Sequence, residues 1–351
     1  MQVTTSVGAV SVTAVAARAP LPQPRGPVST RLLEALLGPP RHIDPVPVRT
    51  ADVLADDDTL LALHCCYELH YRGLAEVDDR WEWAPGLVEF RGRLEALLEP
   101  ALRTLVRVPG VPPGNVAGRL ATLVAADDGP SLAGFVQRRA TLDQVRELLV
   151  HRSVYQLKEA DPHTWAIPRL SGRAKAALVE IQADEYGGGR PDRMHATLFG
   201  DSMRAVGLSD AYGRYVDMVP AATLANSVVM SWFGLHRRWR GAIAGHLAAL
   251  EMTSSNPMRR YGAGLRRLGL GRDATRFFDE HVEADAVHEQ VAAHDLCGAL
   301  VAAEPELTSD VLFGAAACLA LEARVADHLL GCWAERRSSL RAPLDAAADS
   351  A

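Results

Sequence analysis

Two histidines and an aspartate, His281, Asp285 and His288, stand at positions i, i+4 and i+7. A helix turns about 100° per residue, so the three project from one face across two turns. Two imidazoles and a carboxylate on one stripe form a mixed N/O donor set of the kind that suits iron, manganese or zinc. A solvated face would account for them as well, but Glu280, Glu283 and Glu289 already supply charge at other angles of the same helix.

More acids and histidines interrupt apolar helical patterns elsewhere. Glu159 falls on the face of Leu148 and Tyr155. An inward carboxylate needs a partner, either a metal or a cation such as Arg152, because burying it alone is costly. Asp192 and His195 form an acid-x-x-His step, which in four-helix carboxylate-bridged di-iron proteins places a bridging acid and a histidine ligand on one helix. Glu185 precedes that step as a further candidate. Gly187-Gly188-Gly189 and Pro191 interrupt the helical pattern between them. Glu251 closes the apolar turn Leu247-Ala248-Ala249-Leu250, with Arg260 as its alternative protein partner. Several acids with three histidines on four predicted helices make up the inventory of a dinuclear non-haem iron site. Zinc is usually satisfied by four ligands, often cysteines, and a phosphate-bridging magnesium has no use for three imidazoles. Gly187 to Arg190 is a weak match to a phosphate loop, since it lacks both the preceding strand and the GK[ST] ending.

Helices must carry these residues. The chain is 351 residues long, 48% hydrophobic and only 6% aromatic, a mix that favours packed helices over a β-sandwich and predicts an all-α fold. The pattern predicts helices over 30–37, 58–73, 85–105 and 115–126. Another opens at the capping box Thr141-Leu142-Asp143-Gln144 and runs to about Ala160. Further helices are expected from Ser171-Gly172, over Leu224 to Glu251 with Pro257 beyond its end, from Gly271 past His288 to about Ala302, and from Ser309 or Asp310 through Trp333. Tyr67 to Gly73 reads as a buried polar network. A net charge of −6 and a pI near 6.1 argue against nucleic acid or an anionic membrane as partner. No apolar run reaches membrane-spanning length, and no secretory signal pattern opens the chain, so a cytoplasmic protein is expected. Five irregularly spaced cysteines describe neither a disulfide framework nor a CxxC zinc site.

In order along the chain, the acid at 159, Asp192-x-x-His195, the acid at 251 and His281-x-x-x-Asp285-x-x-His288 resemble the iron-containing redox enzymes of the haem-oxygenase-like superfamily, the haem-oxygenase-like di-iron oxidases. The resemblance covers about residues 140–335. It implies a haem-oxygenase-like helical bundle of about seven core helices holding two non-haem irons, with O₂ as co-substrate and a small organic molecule as substrate. Relatives carry out N-oxygenation, oxidative decarboxylation of fatty acids and oxidative C–C or C–N cleavage. Carried over by position, Glu159 is the first acidic ligand, Asp192 and His195 the acid-x-x-His pair, Glu251 the bridging acid, and His281, Asp285 and His288 the last ligand helix. Asp192 departs from the glutamate common in relatives. Its side chain is one methylene shorter, and Glu185 is placed to compensate.

The expected organisation is a disordered tail over 1–28, helices over 29–139 that cover the core or form a homodimer surface, a di-iron core over 140–335 and a flexible tail over 336–351. The leading reading is a non-haem di-iron oxidase or oxygenase of specialised metabolism, served by an electron donor. The alternatives are a cofactor-independent oxidase of the same superfamily, whose histidines act on substrate, and a non-catalytic helical interaction protein.

Overall fold

The computed structural model describes residues 18–106, 108 and 115–344, apart from the side chains of 283–286. Helices dominate it: α1 (Pro27–Leu36), α2 (Asp57–Glu68), α3 (Pro85–Leu105), α4 (Val116–Ala125), α5 (Leu132–Arg138), α6 (Leu142–Gln156) and α7 (Asp161–Thr164). They continue with α8 (Gly172–Glu185), α9 (His195–Ala205), α10 (Ala221–Leu235), α11 (Arg240–Arg267), α12 (Arg272–Gln290), α13 (Ala299–Ala303) and α14 (Thr308–Ala334). Among the described residues the only β pairing is a single Ala19–Leu74 bridge, so the fold is all-α. No described helix is long and apolar enough to cross a membrane.

Most boundaries follow local chemistry. Thr141 opens α6 with the expected capping box, its hydroxyl accepting from the Gln144 amide. α1 starts three residues before the expected Thr30, because Pro27 suits a first turn and Ser29 serves inside that turn, accepting from the backbone of Arg25 and Gly26. Residues 18–26, expected within the tail, lie against the body: Arg18 pairs with Asp79, and Arg25 with Asp57. The rest of that expected tail, 1–17, and the end of the C-terminal one, 345–351, lie outside the described residues.

The long helix expected over 224–251 divides at His236, whose backbone is extended, and its second half continues past Pro257 to Arg267 as α11. A π-helical segment, Val291–Gly298, joins α12 to α13 without a break. All five cysteines are buried and unbridged.

The core is organised around α11, which packs on α14, α12 and α5, while α12 lies along α9 and α2 along α10. α11 and α14 touch backbone to backbone. A Cβ at Gly245 would overlap the Val311 carbonyl, and one at Gly314 the Ala242 carbonyl. Neither carbonyl can swing away as a side-chain end could, so the helices must part. Gly245→Ala and Gly314→Ala are each expected to cost about 3 kcal/mol, the upper end for overpacking. Urea unfolding of the metal-free protein measures this, and an unchanged midpoint would show that the crossing is not tight.

Candidate metal centre

Four helices and the turn after a fifth bring six of the expected residues together. Glu159 follows the end of α6, Glu185 ends α8, His195 opens α9, Glu251 lies within α11, and His281 and His288 lie on α12. All six are buried or nearly so. Their donor atoms form two groups, each with its atoms within 4.8 Å of one another: Glu159, Glu185, His195 and His281 in the first, and Glu185, Glu251 and His288 in the second. Bonds of about 2.0–2.2 Å from nitrogen or oxygen to a metal put ligands of one ion roughly 3–4.4 Å apart, so each group has the dimensions of one ion's coordination sphere. Glu185 belongs to both.

Hydrogen bonds fix which nitrogen of two imidazoles faces inward. His281 Nδ1 lies 2.8 Å from the Phe277 carbonyl, which can only accept, so Nδ1 carries the proton. Its Nε2 then faces the cluster, 3.6 Å from Glu159 Oε1. His288 Nε2 donates to Asp184 Oδ2 at 3.0 Å, which turns Nδ1 toward Glu251 Oε2, 3.5 Å away. This is the outer-shell pattern of metal-bound histidine, in which the far N–H is held by a carbonyl or carboxylate. Aromatic rings pack behind the site: Phe277 lies 4.3 Å from the His281 ring and 5.2 Å from Phe199, centroid to centroid.

The donor set fits a metal. Glu159 Oε2, Glu185 Oε2, His195 Nδ1 and His288 Nδ1 are buried and have no hydrogen-bond partner among the described residues. His195 Nδ1 and Glu185 Oε2 are 2.8 Å apart but not aligned as a hydrogen bond. Convergent unsatisfied polar atoms are costly in a protein interior, and a cation at their focus removes that cost. The acids demand positive charge. Burial favours a neutral His288, yet Glu251, Asp184 and Glu185 lift it to about 9. Burial would likewise raise the Glu185 carboxyl, but His195, His281 and His288 draw it down to about 2.

One expected ligand is not in this cluster, and the side chain of another lies outside the described residues. Asp192 lies on the surface, its side chain 70% exposed and 3.7 Å from Arg190. The acid-x-x-His geometry assumed one helix through 192–195, whereas Gly187, Gly188 and Gly189 all take positive φ (+68°, +59° and +79°) and Pro191 follows. The chain therefore turns between α8 and α9, which brings Glu185 rather than Asp192 against His195. The side chain of Asp285 lies outside the described residues. The protein partners weighed for Glu159 and Glu251 are engaged elsewhere: Arg152 with Glu322 and Arg260 with Ser131.

Asp184 was not singled out in the sequence; its only signal there is its place beside Glu185 at a helix end. Because its carboxylate is 63% exposed, water can partly replace it. If each donor group holds a metal, Asp184→Ala is expected to weaken the one at His288 about tenfold, the low end for an outer-shell partner, and to leave the affinity of the other unchanged. Anaerobic Co(II) titration followed by absorbance reads both, and equal loss at the two sites would refute the assignment.

A cavity of about 670 Å³ opens onto Glu159, Glu185, Glu251 and His281. Leu148, Leu149, Phe199, Met230 and Leu250 line it, and Arg152, Glu322 and Tyr261 form a polar region of its wall. The volume lies within the roughly 300–1,000 Å³ usual for small-molecule sites.

Comparison with known proteins agrees with this geometry. The nitrosourea synthase of Streptomyces achromogenes subsp. streptozoticus is 27% identical over 147 residues, 42% of this chain and 31% of the synthase. The matched stretch thus spans about a third of that relative's length. The model of the iron-containing redox enzyme family matches residues 146–323, just over half of the chain. All six clustered acids and histidines, their orienting Asp184 and the cavity's Arg152 and Glu322 fall inside that segment, and the chain belongs to the iron-containing redox enzyme family.

Proposed function

We propose that this oxidoreductase is a non-haem di-iron oxidase or oxygenase that uses O₂ to oxidise a small organic molecule held in the cavity. Glu159, His195 and His281 would hold one iron, Glu251 and His288 the other, with Glu185 shared between them. The observation that carries this reading is the pair of donor groups with a common carboxylate, opening onto one cavity. When bound, two ferrous ions supply the electrons and open coordination positions with which O₂ is activated.

The chain's own residues have separable tasks. The three glutamates offset the metal charge, and the neutral imidazoles keep that offset incomplete. The Phe277 carbonyl and Asp184 hold two imidazoles with their lone pairs inward. Phe199, Phe277 and the leucines of the cavity exclude water from the reacting volume. Arg152, Glu322 and Tyr261 offer the substrate charged and hydrogen-bonding groups away from the metals. A nitrosourea carries an oxidised nitrogen, so the named relative makes nitrogen-containing small molecules the first substrates to screen. An electron donor would restore the ferrous state wherever the substrate does not supply enough electrons.

The test is anaerobic Fe(II) loading, desalting and metal analysis, then O₂ uptake with and without substrate and reductant. Two irons per chain and substrate-dependent O₂ uptake are expected. Saturation at one iron, or zinc uptake with none of iron, would overturn the reading.

A further inference from the structure

Glu159 stands just beyond α6, in a short turn tied to the helix end only through the backbone, Lys158 N–H to the Tyr155 carbonyl at 2.8 Å and Glu159 N–H to the Gln156 carbonyl at 3.4 Å. Its neighbours on both sides are anchored. The Leu157 carbonyl accepts from Arg72 Nη2 at 3.0 Å. Lys158 is 1% exposed, its ammonium held by the Glu68 carboxylate and 4.4 Å from the Tyr71 ring centroid. Ala160 takes φ +74°, unusual for a residue with a Cβ, and its carbonyl accepts from Gln182 Nε2 at 2.7 Å. Glu68 is itself fixed, accepting from the Tyr212 hydroxyl and lying 3.9 Å from His64.

An ammonium in an apolar interior can settle only where its charge is paired, and Glu68 is its ion-pair partner among the described residues. Lys158 therefore has one location, and Glu159 is attached to it through a single peptide bond. Glu68, Tyr71 and Arg72 belong to α2 and the turn after it, outside the family segment 146–323. A shift of about 1 Å in a supporting shell is enough to spoil a metal site, so a ligand on a turn needs such anchoring.

We propose that Glu68, acting through Lys158, is a positioning residue for Glu159, and that the N-terminal helices help build one of the two metal sites. The proposal rests on the two-metal reading above. Its consequence is asymmetric. Glu159 belongs to the group with His195 and His281 but not to the group with Glu251 and His288. Loosening the anchor should weaken one metal and spare the other.

The experiment is anaerobic titration of the full-length, metal-free protein with Co(II) or Fe(II) alone, following each binding step. Wild type taking up fewer than two metals would refute the two-metal reading itself, before any variant is compared. Glu68→Gln leaves a buried ammonium unpaired and can fail to fold. The paired variant Glu68→Gln/Lys158→Met leaves no lone charge, and circular dichroism checks its fold. Expected in that variant is one step weakened at least tenfold and the other within twofold of wild type. Two unchanged steps in the folded variant would overturn the proposal. So would equal weakening of both, which is the mark of general loosening.

Discussion

Glu185→Gln is expected to abolish tight binding of both metals, whereas Glu159→Gln and Glu251→Gln should each remove only one. Glu185 is the residue common to the two donor groups, and its Oε2 has no hydrogen-bond partner among the described residues. Glutamine keeps the shape but removes the charge, and its amide nitrogen has no lone pair to offer. Outer-shell changes cost about 10–100-fold in affinity, so loss of a charged ligand should exceed about 100-fold at each site. The change also removes a pH dependence from the metal-free protein. The folded-state pKa of Glu185 is depressed from its ordinary 4.5 to about 2. Its contribution to stability is therefore present above pH 4.5 and lost as pH falls through 2. In the variant that segment of acid sensitivity should be absent. Metal analysis after desalting, with anaerobic titration, decides the matter: one equivalent retained by Glu185→Gln would show that the carboxylate is not shared.

The His281–His288 stripe was legible because both residues lie on one uninterrupted helix, where sequence spacing is geometry. Glu159 and Glu251 were legible as acids on apolar faces. Asp192 misled because its spacing to His195 carries meaning only inside a helix, and Met194 between them has non-helical backbone (ψ 132°), after the turn made by three glycines and Pro191. The same punctuation that argued for a break between Glu185 and Asp192 also moves Glu185, at the last position of α8, into the site. Pro257 misled in the opposite direction. α11 continues through it for ten further residues, with α5 and α12 packed along the helix, so tertiary contact outweighs the local penalty. Pairings between distant segments had no local signal at all. Lys158 meets Glu68 from 90 residues away, and Arg152 meets Glu322 from 170.

That last pair carries the largest expected effect on stability. Arg152→Met should destabilise the metal-free protein by about 3–5 kcal/mol, the usual cost of stranding one member of a buried ion pair. The guanidinium makes two parallel bonds to Glu322, Nη1 to Oε1 at 2.9 Å and Nη2 to Oε2 at 2.7 Å, and Asn226 Nδ2 donates to Oε1 at 2.5 Å. Burial disfavours the charge on either group. Glu322 nevertheless holds the guanidinium well above its ordinary pKa, and Arg152 holds the carboxyl below its own. Without Arg152 the carboxylate keeps Asn226 but no cation. Its side chain is 27% exposed, on the cavity wall, so cavity water softens the loss and places it toward 3 rather than 5 kcal/mol. Arg152→Met/Glu322→Met removes both charges at similar volume and should recover most of that stability. If the pair also grips the substrate's polar end, the double variant will fold and bind metal as tightly as wild type, yet show a raised KM with little change in kcat. Urea unfolding of the three proteins tests the first part. Equal destabilisation in the single and double variants would mean that lost packing, not a stranded charge, is the cause. An unchanged KM in the double variant would place the substrate's polar end elsewhere in the cavity.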